Sequence, residues 1–415
     1  MPNTIHRARF ALTHPDRILE DAAIHVSENG RIIQSDAWHG LRTDAGTEII
    51  DWGDAVILPG LVNAHTHLEL TTLHGQLTEF ISFTDWALRL IRMRRTWTEE
   101  DYRTSARQGA QQALDSGTTL VGDISSSGFG WNLLQGEPLR RVVFEETLGL
   151  APELAESSIA RLRDLFDHAE TIDRRARVHG VSPHAPYSTS GELYRQSVKF
   201  ARSCRAPWTT HAAETLEELR FLETGTGEFR EFLTCLGALP EGWKPPSASP
   251  VAWLDSLGIL GTDCLLAHCN YLDDDSIGRI ARSRCRVVYC PRSHAFFGHE
   301  NHPIRRLLDA GIPVALGTDS LASNDSLSIL DEMRELYVRR KDVAPEEILR
   351  AATVSGADAL GFGGALGCLA PGYLADMAIL ELPGNIKSSR LIEQILEGAG
   401  TWRATIVSHT CPKQG

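Results

Sequence analysis

Two histidines stand two positions apart at the end of an apolar segment. Residues 58–70 read LPGLVNAHTHLEL and contain His65 and His67. In a β-strand, side chains two positions apart point to the same face, about 6.5 Å apart along the chain. Because bonds from imidazole nitrogen to zinc are about 2.0–2.1 Å long, both rings could reach one cation. The alternative is a pair of polar residues that simply ends a buried strand.

Further polar side chains follow other strand-like segments in the same way. They are His184 in VSPHAPY, His211 in TTHAAE, His268 in LLAHCN and Asp319 in ALGTDS. Each histidine alone would favour a structural role in the core or at the surface. Side chains at the carboxyl ends of barrel strands converge on one site, however, so the cluster as a whole predicts a metal centre.

The elements that would bring these side chains together alternate along most of the chain. Apolar strand-like segments are followed by longer amphipathic ones, of which TEEDYRTSARQGAQQALDSG ends on a glycine suited to a helix C-terminus. Strands followed by helices predict a parallel sheet, and about eight such units predict a closed barrel. After the first strand, the strand-like segments are TTLVGDIS, RRVVFEETLG, RVHGVSPHA, APWTTHAAE, CLLAHCN, RVVYCPRS and IPVALGTDS.

The two ends of the chain have a different sequence pattern, in which short strand-like segments are separated by turns. The segment AAIHVSENGRIIQS places Asn29 and Gly30 between two alternating segments, which is a strong hairpin signal. Strand-like sequence returns near the C-terminus in LGCLAPGYLADMAILEL and WRATIVSH. We therefore expect an α/β protein. A (β/α)8 TIM-type barrel would occupy residues 58–365, and residues 1–57 and 366–415 would together form a small β-sandwich domain.

One stretch, around residues 224–258, is too long for an ordinary connection between a barrel strand and its helix. Long loops of this kind are usually functional, so we interpret it as a lid or a wall of the substrate pocket. A mobile insertion on the surface is the alternative interpretation.

The composition excludes several classes of partner. A formal net charge of −13 over 415 residues argues against nucleic acid and anionic membranes, which need a basic face. No apolar stretch approaches the roughly 20 residues of a membrane span, and the N-terminus lacks the apolar core of a signal peptide. The eight cysteines form no C-x-x-C motif, so free thiols in a reducing cytoplasm are expected. The expected partner is a small-molecule substrate, and homo-oligomer formation is left open.

Five separated motifs resemble the amidohydrolase superfamily, specifically its nucleobase-deaminase and chlorohydrolase branch. They are LPGLVNAHTHLEL, HAAE, LLAHCN, GTDS and APGYLADMAIL, which occur in the family's order along essentially the whole chain. The resemblance implies the barrel, the composite β-domain and one divalent metal. It assigns as ligands His65, His67, His211 and Asp319. Three nitrogens and one carboxylate oxygen suit Zn²⁺, although Fe²⁺ or Mn²⁺ would also accept them.

The resemblance also bears on the number of metals. Two-metal members of the superfamily typically use a carboxylated lysine on the fourth strand. We take RRVVFEETLGL for that strand, and it offers no lysine, only Glu145 and Glu146. A single metal is therefore favoured, with a glutamate that reaches the metal as the alternative.

The same branch implies a division of labour among three catalytic residues. Bound metal would lower the pKa of a water toward ~7, and Asp319 would accept a proton from it. Glu214, in the His-x-x-Glu spacing after His211, would protonate a ring nitrogen, and His268 would orient the attacking water. Ammonia would then leave. The alternative for Glu214 is a carboxylate in the first turn of a helix, since Glu217 and Glu218 follow.

The substrate is less strongly indicated. VSPHAPYSTS resembles the segment of adenine-nucleoside deaminases whose histidine, here His184, contacts the substrate; a loop histidine near prolines is the alternative. Methylthioadenosine and adenosylhomocysteine deaminases carry a W-P-x-E pattern for the ribose, but this chain reads FTDWALRLIRMRRTWTEED, with Arg95 near that position. The H-x-H-L-E start, which includes Glu69, and the following F-x-x-W-like element instead resemble aminodeoxyfutalosine deaminases of the alternative menaquinone pathway.

That resemblance suggests further substrate contacts. The aminodeoxyfutalosine substrate is an adenine nucleoside with a carboxybenzoyl tail, and Arg92, Arg94 and Arg95 could attract its carboxylate. A solvated basic helix face is the alternative. YCPRSHAFFGHE adds Ser293, His294, Phe296 and Phe297, whose rings could stack on a planar base or belong to the core.

The resemblance leaves several reactions open. The leading prediction is a metal-dependent aminohydrolase that removes an exocyclic amine from an adenine-type nucleoside, with aminodeoxyfutalosine first. Deamination of S-adenosylhomocysteine, methylthioadenosine or adenosine is the nearest alternative. Amino- or chlorohydrolysis of an s-triazine or pyrimidine would use the same site, and a non-catalytic barrel scaffold is the alternative from another class.

Overall fold

The N-terminal segment forms a group of strands outside the barrel. The computed structural model describes residues 3–41, 46–167 and 176–408. Strands β2 and β3 are antiparallel, and between them Gly30 has a left-handed φ of 75°. The hairpin predicted at Asn29 and Gly30 is therefore confirmed. The strands of this segment are β1 (Thr4–His14), β2 (Arg17–Val26), β3 (Ile32–Ala37), β4 (Glu48–Asp51) and β5 (Ala55–Pro59).

Eight parallel strands then form the barrel. In this sheet every neighbouring pair in the order β6 to β13 is hydrogen-bonded. The ring is closed because the backbone amides of Thr318 and Asp319 both donate to the carbonyl of His65, at 3.1 Å. The predicted (β/α)8 fold is confirmed. The barrel strands are β6 (Leu61–Thr66), β7 (Thr118–Ser125), β8 (Arg140–Thr147), β9 (Arg177–Pro183), β10 (Trp208–Ala212), β11 (Cys264–His268), β12 (Arg286–Tyr289) and β13 (Val314–Leu316).

The strand order corrects one part of the sequence interpretation. The segment searched for a metal-bridging lysine, RRVVFEETLGL, contains β8, which is the third strand of the barrel and not the fourth. The fourth is β9, with the sequence RVHGVSP. It also lacks lysine, so the argument for a single metal stands on the correct strand.

Helices connect the barrel strands on the outside. The predicted amphipathic helix is confirmed as α2, which begins with a capping box at Thr98, whose hydroxyl accepts from the amide of Asp101. The helices are α1 (Phe83–Arg94), α2 (Glu99–Asp115), α3 (Gly130–Leu133), α4 (Leu154–Asp167), α5 (Gly191–Ser203), α6 (Leu216–Thr224), α7 (Glu228–Cys235), α8 (Pro250–Ser256), α9 (Asp274–Ser283), α10 (Pro291–Phe296), α11 (Ile304–Asp309), α12 (Ile329–Arg339), α13 (Pro345–Ala352) and α14 (Val354–Ala359). Across the described ranges, none of the helices combines the length and the apolar character that a bilayer span requires.

The C-terminal segment returns to the N-terminal strands. It contains β14 (Met377–Glu381), α15 (Leu391–Leu396) and β15 (Thr401–Ile406). The strand order of the resulting sheet is β15-β14-β5-β1-β2-β3, with β4 paired to β1. Both ends of the chain therefore form one small β-domain, as predicted.

The junction between the two domains lies immediately before the histidine pair. Strand β5 ends at Pro59 in the small sheet, and β6 begins at Leu61 in the barrel. A Cβ on Gly60 would lie only 2.2 Å from the hydroxyl of Thr119, which explains why glycine occupies this position. Below the barrel, the buried Arg140 of β8 pairs with Asp376, with Nε 2.7 Å from Oδ2. The amide of Gly60 donates to the carbonyl of Asp376 at 2.9 Å.

Cysteines serve mainly as packing residues. All those in the described ranges are free thiols, and Cys264, Cys269, Cys285 and Cys290 are buried. Cys204 and Cys235 are exposed. Cys411 lies outside the described residues.

Candidate metal centre and active-site pocket

Three histidines meet at the carboxyl end of the barrel. His65 and His67 come from β6 and its end, and His211 from β10. The ring centroids of His65 and His67 are 5.1 Å apart, and those of His65 and His211 are 5.0 Å apart. One nitrogen of each ring lies within 4.8 Å of the others. The alternation of side chains on β6 thus places the H-x-H pair on one face, opposite a histidine 144 positions later in the sequence.

The hydrogen bonding and the lowered pKa values of these imidazole rings are consistent with a bound cation. Within the part of the chain that the structure describes, neither ring nitrogen of His65 makes a hydrogen bond. Nδ1 of His211 donates to the carbonyl of His184 at 2.9 Å, which leaves its Nε2 as a free lone pair. Burial lowers the pKa of His65 well below its usual range and lowers that of His67 to about 3. Buried neutral imidazoles with unused lone pairs are costly unless a ligand satisfies them, so this donor set suits a divalent metal.

Asp319 completes the donor set from the last barrel strand. Its Oδ1 lies 3.5 Å from Nε2 of His67 and 3.7 Å from Nε2 of His65. The hydroxyls of Ser293 and Ser323 each donate to Oδ2 at 2.8 Å, and so fix the carboxylate from behind. Burial alone would raise the pKa of Asp319, but the three neighbouring histidines outweigh it and the pKa is lowered. Asp319 is therefore a carboxylate, as a metal ligand must be.

A second group adjoins the first. Ligand atoms of Glu214, His268 and Asp319 lie within 4.8 Å of one another, and Oε1 of Glu214 is 3.5 Å from Nε2 of His268. Burial raises the pKa of Glu214 well above its usual value, and the nearby carboxylates of Asp319 and Glu218 raise it further. The surroundings therefore favour the protonated form of Glu214 and the ionised form of Asp319. Two neighbouring groups whose surroundings move their pKa values in opposite directions can act as an acid and a base in the same reaction.

Left-handed backbone recurs where these strands end. Ala213, His268, Cys269 and Asp319 have φ between 52° and 68°, and none is glycine. Such conformations cost on the order of 1–3 kcal/mol each and persist where surrounding contacts enforce them. Nε2 of the buried His302 donates to the carbonyl of His268 at 2.9 Å, which is one such contact.

The two groups form the floor of a cavity of about 380 Å³. One wall is α1, which contributes Trp86, Leu90 and Ile91. Further lining residues are Phe232, Leu233 and Leu236, which belong to or follow α7 in the 224–258 segment. That segment therefore contributes a wall of the pocket. The mostly apolar walls above a polar floor suit a flat organic substrate that reacts at one end.

Comparison with known proteins places this geometry in a family. The model of the amidohydrolase family matches residues 56–411. The chain belongs to the amidohydrolase family. A 5-methylthioadenosine/S-adenosylhomocysteine deaminase of Pyrococcus furiosus is 29% identical over 412 residues, which cover 94% of this chain and 88% of that protein. Membership in the family confirms the prediction of a hydrolase, and the name of this relative supports the predicted deamination.

Solved structures of other proteins share the amidohydrolase fold. The aminofutalosine deaminase of Helicobacter pylori, in complex with methylthio-coformycin, superposes with a TM-score of 0.86 at 24% identity, and covers 98% of each chain. An adenosine deaminase of Xanthomonas campestris with bound zinc gives 0.84 at 23% identity, with 98% of this chain and 92% of that one covered. At this identity the likeness establishes the fold of the barrel and small domain.

Of two predicted substrate residues of this amidohydrolase, His184 lies at the pocket and Glu69 does not line it. His184 lines the pocket, with Nδ1 2.6 Å from the hydroxyl of Ser188 and Nε2 3.9 Å from Oε1 of Glu146. Glu69 is buried behind the pocket wall, where its carboxylate accepts from the amide and hydroxyl of Ser126, at 3.0 and 2.5 Å. Its role in this structure is to hold the chain after β7.

Arg94 and Arg95, at the end of α1, differ in their position relative to the pocket. Arg94 lines the pocket, whereas Arg95 is exposed at the end of the helix and is absent from the lining. Arg94 is held by Glu69, with Nη2 3.3 Å from Oε1, and by the hydroxyl of Tyr102. The pocket-facing residues of α1 recur at positions 83, 86, 87, 90, 91 and 94. This is the spacing of residues on one face of a helix. The periodicity of the sequence could therefore have indicated that Arg94, and not Arg95, faces the pocket.

The residues predicted after β12 do not reach the pocket. Ser293 supports Asp319 from behind, as described above. His294 is buried near Tyr289 and lines a separate cavity. Phe296 packs on Phe80 and Phe297. The helix α10 begins directly at Pro291, which turns these side chains away from the barrel mouth and into neighbouring packing.

The carboxylates of β8 face opposite ways. Glu145 points away from the pocket into a buried layer, where neither of its oxygens has a hydrogen-bonding partner among the described residues. Glu146 lines the pocket, but it is not part of either group of potential ligands. Neither glutamate therefore belongs to the groups of potential metal ligands among the described residues.

Proposed function

We propose that this amidohydrolase is a metal-dependent deaminase that releases ammonia from an adenine-type nucleoside. The observation that carries the proposal is the placement of two carboxyl groups, Glu214 and Asp319, beside the three histidines in one largely apolar pocket. Burial raises the pKa of Glu214, and the neighbouring histidines lower that of Asp319. One divalent metal would be held by His65, His67, His211 and Asp319, and zinc suits three nitrogens and one oxygen. The deaminase relatives support the same assignment.

The proton transfers divide between two carboxyl groups. The carboxyl of Glu214 donates its proton to the ring nitrogen next to the amine-bearing carbon, as the oxygen of water adds to that carbon. Asp319, ionised, accepts a proton from the water. Nε2 of His268, 3.5 Å from Glu214, orients the water toward the ring. A divalent cation bound there would lower the pKa of the water toward ~7. Asp319 then passes the proton that it accepted to the amine, and Glu214 regains a proton from the added hydroxyl. The carbon–nitrogen bond breaks, the ring carbon becomes a carbonyl and ammonia leaves.

The walls suit the rest of a nucleoside. Trp86 and Leu90 offer apolar surface to a flat base, and the imidazole of His184 stands at the pocket wall as its polar contact. Beyond the floor, Phe232, Leu233 and Leu236 favour an apolar group on the 5′ side of the sugar. Both an aryl tail and a thioether meet this requirement, so aminodeoxyfutalosine and methylthioadenosine are the first substrates to test.

A panel of substrates tests the proposal. Ammonia release is measured with the metal-loaded enzyme on aminodeoxyfutalosine, methylthioadenosine, S-adenosylhomocysteine, adenosine, an amino-s-triazine and cytosine, with chloride release measured on a chloro-s-triazine. We expect the highest kcat/KM on one of the adenine nucleosides. A higher kcat/KM on the triazine or the pyrimidine would overturn the substrate class. An absence of turnover on every compound by metal-loaded protein would favour the non-catalytic scaffold.

A further inference from the structure

Glu146 lines the pocket and has no hydrogen-bond donor among the described residues. Its side chain is only 7% exposed, yet it lines the cavity. Within the described part of the chain no hydrogen bond reaches its carboxylate, and its nearest charged partner is Nε2 of His184, at 3.9 Å. Because the carboxylate lines the cavity without a donor from the described residues, it is available to accept hydrogen bonds from a ligand.

A fixed cation lies near this acceptor. Arg94 lines the same cavity. Burial raises the pKa of Glu146 to about 7, and the charges of His211 and Arg94 act in the opposite direction. The guanidinium is anchored on its far side by Glu69 and the hydroxyls of Ser126 and Tyr102. Its position is therefore set by the protein before any ligand binds.

The two charges together restrict the chemistry of the ligand. A cationic group that approached Glu146 would be repelled by Arg94, and an anionic group that approached Arg94 would be repelled by Glu146. A neutral group with hydroxyls escapes both penalties, because each hydroxyl can donate to the carboxylate and accept from the guanidinium. Acidic side chains bind ribose hydroxyls in this way in dinucleotide-binding proteins.

We infer that Glu146 and Arg94 form a hydroxyl-binding subsite for the sugar ring of the substrate. The inference rests on the proposed function, in which the base contacts His184. Glu146 adjoins His184, so a substrate whose base contacts His184 brings the group attached to that base near Glu146. In a nucleoside the group attached to the base is the sugar. The subsite makes the enzyme selective for ribonucleosides over deoxynucleosides.

The subsite is tested by combining changes in the substrate with a change in the protein. The kcat/KM for adenosine, 2′-deoxyadenosine and 3′-deoxyadenosine is measured on the wild type and on Glu146→Gln. Loss of the contacted hydroxyl should reduce the wild-type value about 10- to 100-fold, as for a hydrogen bond to a charged group. In Glu146→Gln the same loss should be a few-fold at most, with its effect largely in KM. Glu145→Gln is the matched control, since this neighbour faces away from the pocket and should keep the wild-type selectivity.

Product inhibition provides a measurement that does not depend on the variant folding. Inosine should inhibit the wild-type enzyme at least 10-fold more strongly than 2′,3′-dideoxyinosine, again from the loss of a charged hydrogen bond. Equal penalties in wild type and Glu146→Gln, or equal inhibition by the two products, would overturn the subsite and leave the deaminase in place. If the wild type deaminates a triazine or pyrimidine but no adenine nucleoside, the proposed function fails and the sugar subsite fails with it.

Discussion

Oε1 of Glu214 lies 3.5 Å from Nε2 of His268, and both side chains are buried at the floor of one pocket. The two residues come from different strand ends, 54 positions apart in the sequence. His268 is held by a left-handed backbone and a hydrogen bond from His302, and Glu214 by hydrogen bonds of its backbone to Glu218 and Asn270. The pair is thus positioned by the scaffold, as an acid and its partner must be before a substrate arrives.

Replacement of Glu214 by glutamine should separate proton transfer from metal binding. The variant keeps the size and polarity of the side chain but cannot donate the proton. We expect kcat to fall by ~10²–10⁴-fold, with metal content unchanged by elemental analysis. Glu217→Gln, an exposed residue in the first turn of α6, is the matched control and should retain wild-type turnover. Near-normal kcat in Glu214→Gln would mean that another group supplies the proton.

Activity should also respond to pH through Glu214. Its pKa is raised, and the acid form is the active one, so kcat/KM should decline on the alkaline side as this group loses its proton. Because an amide does not titrate, the alkaline limb assigned to this residue should be absent from the residual activity of Glu214→Gln. A pH–rate profile of both proteins measures this, and an unchanged alkaline limb in the variant would assign the ionisation elsewhere.

Removal of a histidine ligand should remove the metal. The purified protein should carry about one divalent ion per chain, and His65→Ala should lose both the ion and the activity. The exposed His74 lies in the same part of the chain, so His74→Ala serves as the control and should retain both. Full metal occupancy in His65→Ala, measured by elemental analysis, would contradict the assigned donor set.

Arg94 and Arg95 should differ sharply in their effect on catalysis. Arg94 faces the pocket and is held by Glu69, whereas Arg95 is exposed. Arg94→Ala should therefore reduce kcat/KM by at least 10-fold, as for the loss of a charged hydrogen bond, while Arg95→Ala should change it by less than about 2-fold. Steady-state kinetics on the best nucleoside measures both. A larger loss in Arg95→Ala would restore the sequence-based assignment.

Glu145 should make stability depend on pH. Burial raises the pKa of its carboxyl to about 8, from an ordinary value of about 4.3. The folded state therefore binds this proton more tightly than the unfolded state. The stabilisation is fully present below about pH 4 and is lost as the pH rises through about 8. Glu145→Gln should abolish this dependence.

Thermal unfolding of the metal-loaded protein at pH 5, 7 and 9 measures the effect. The Tm of the wild type should fall more steeply with pH than that of Glu145→Gln, and the variant should be the more stable of the two at pH 9. Glu217→Gln is again the control, since an exposed carboxyl has no such burial and should follow the wild type. Parallel curves for the wild type and Glu145→Gln would show that Glu145 ionises as freely in the folded state as in the unfolded one.

The barrel and the convergence of the ligands could be predicted because both depend on local pattern. The H-x-H spacing sets two side chains on one face of β6, and the alternation of strands and helices fixes which strand ends meet. His211, His268 and Asp319 then fall at strand ends without knowledge of any long-range contact. The hairpin at Gly30 and the start of α2 at Thr98 are local for the same reason.

The substrate contacts could not be predicted as well, because they depend on how loops pack after the strands end. Glu69 follows the H-x-H pair directly, yet its partner Ser126 belongs to the loop after the next strand. Ser293 was expected to meet the substrate, but the direction of α10 turns it toward Asp319. Glu146 could be placed on a strand, whereas its lack of a partner becomes visible only when the neighbouring loops are in place.

The contact between Arg140 and Asp376 has a consequence for attempts to shorten the protein. The small domain resembles an appendage that could be deleted to leave a minimal catalytic barrel. Its Asp376, however, neutralises a buried arginine of the third barrel strand and anchors the residue that precedes β6. Removal of one partner of a buried ion pair costs about 3–5 kcal/mol, a large share of the stability of a typical domain. We therefore expect that a barrel expressed without the small domain loses stability, unless Arg140 is replaced as well.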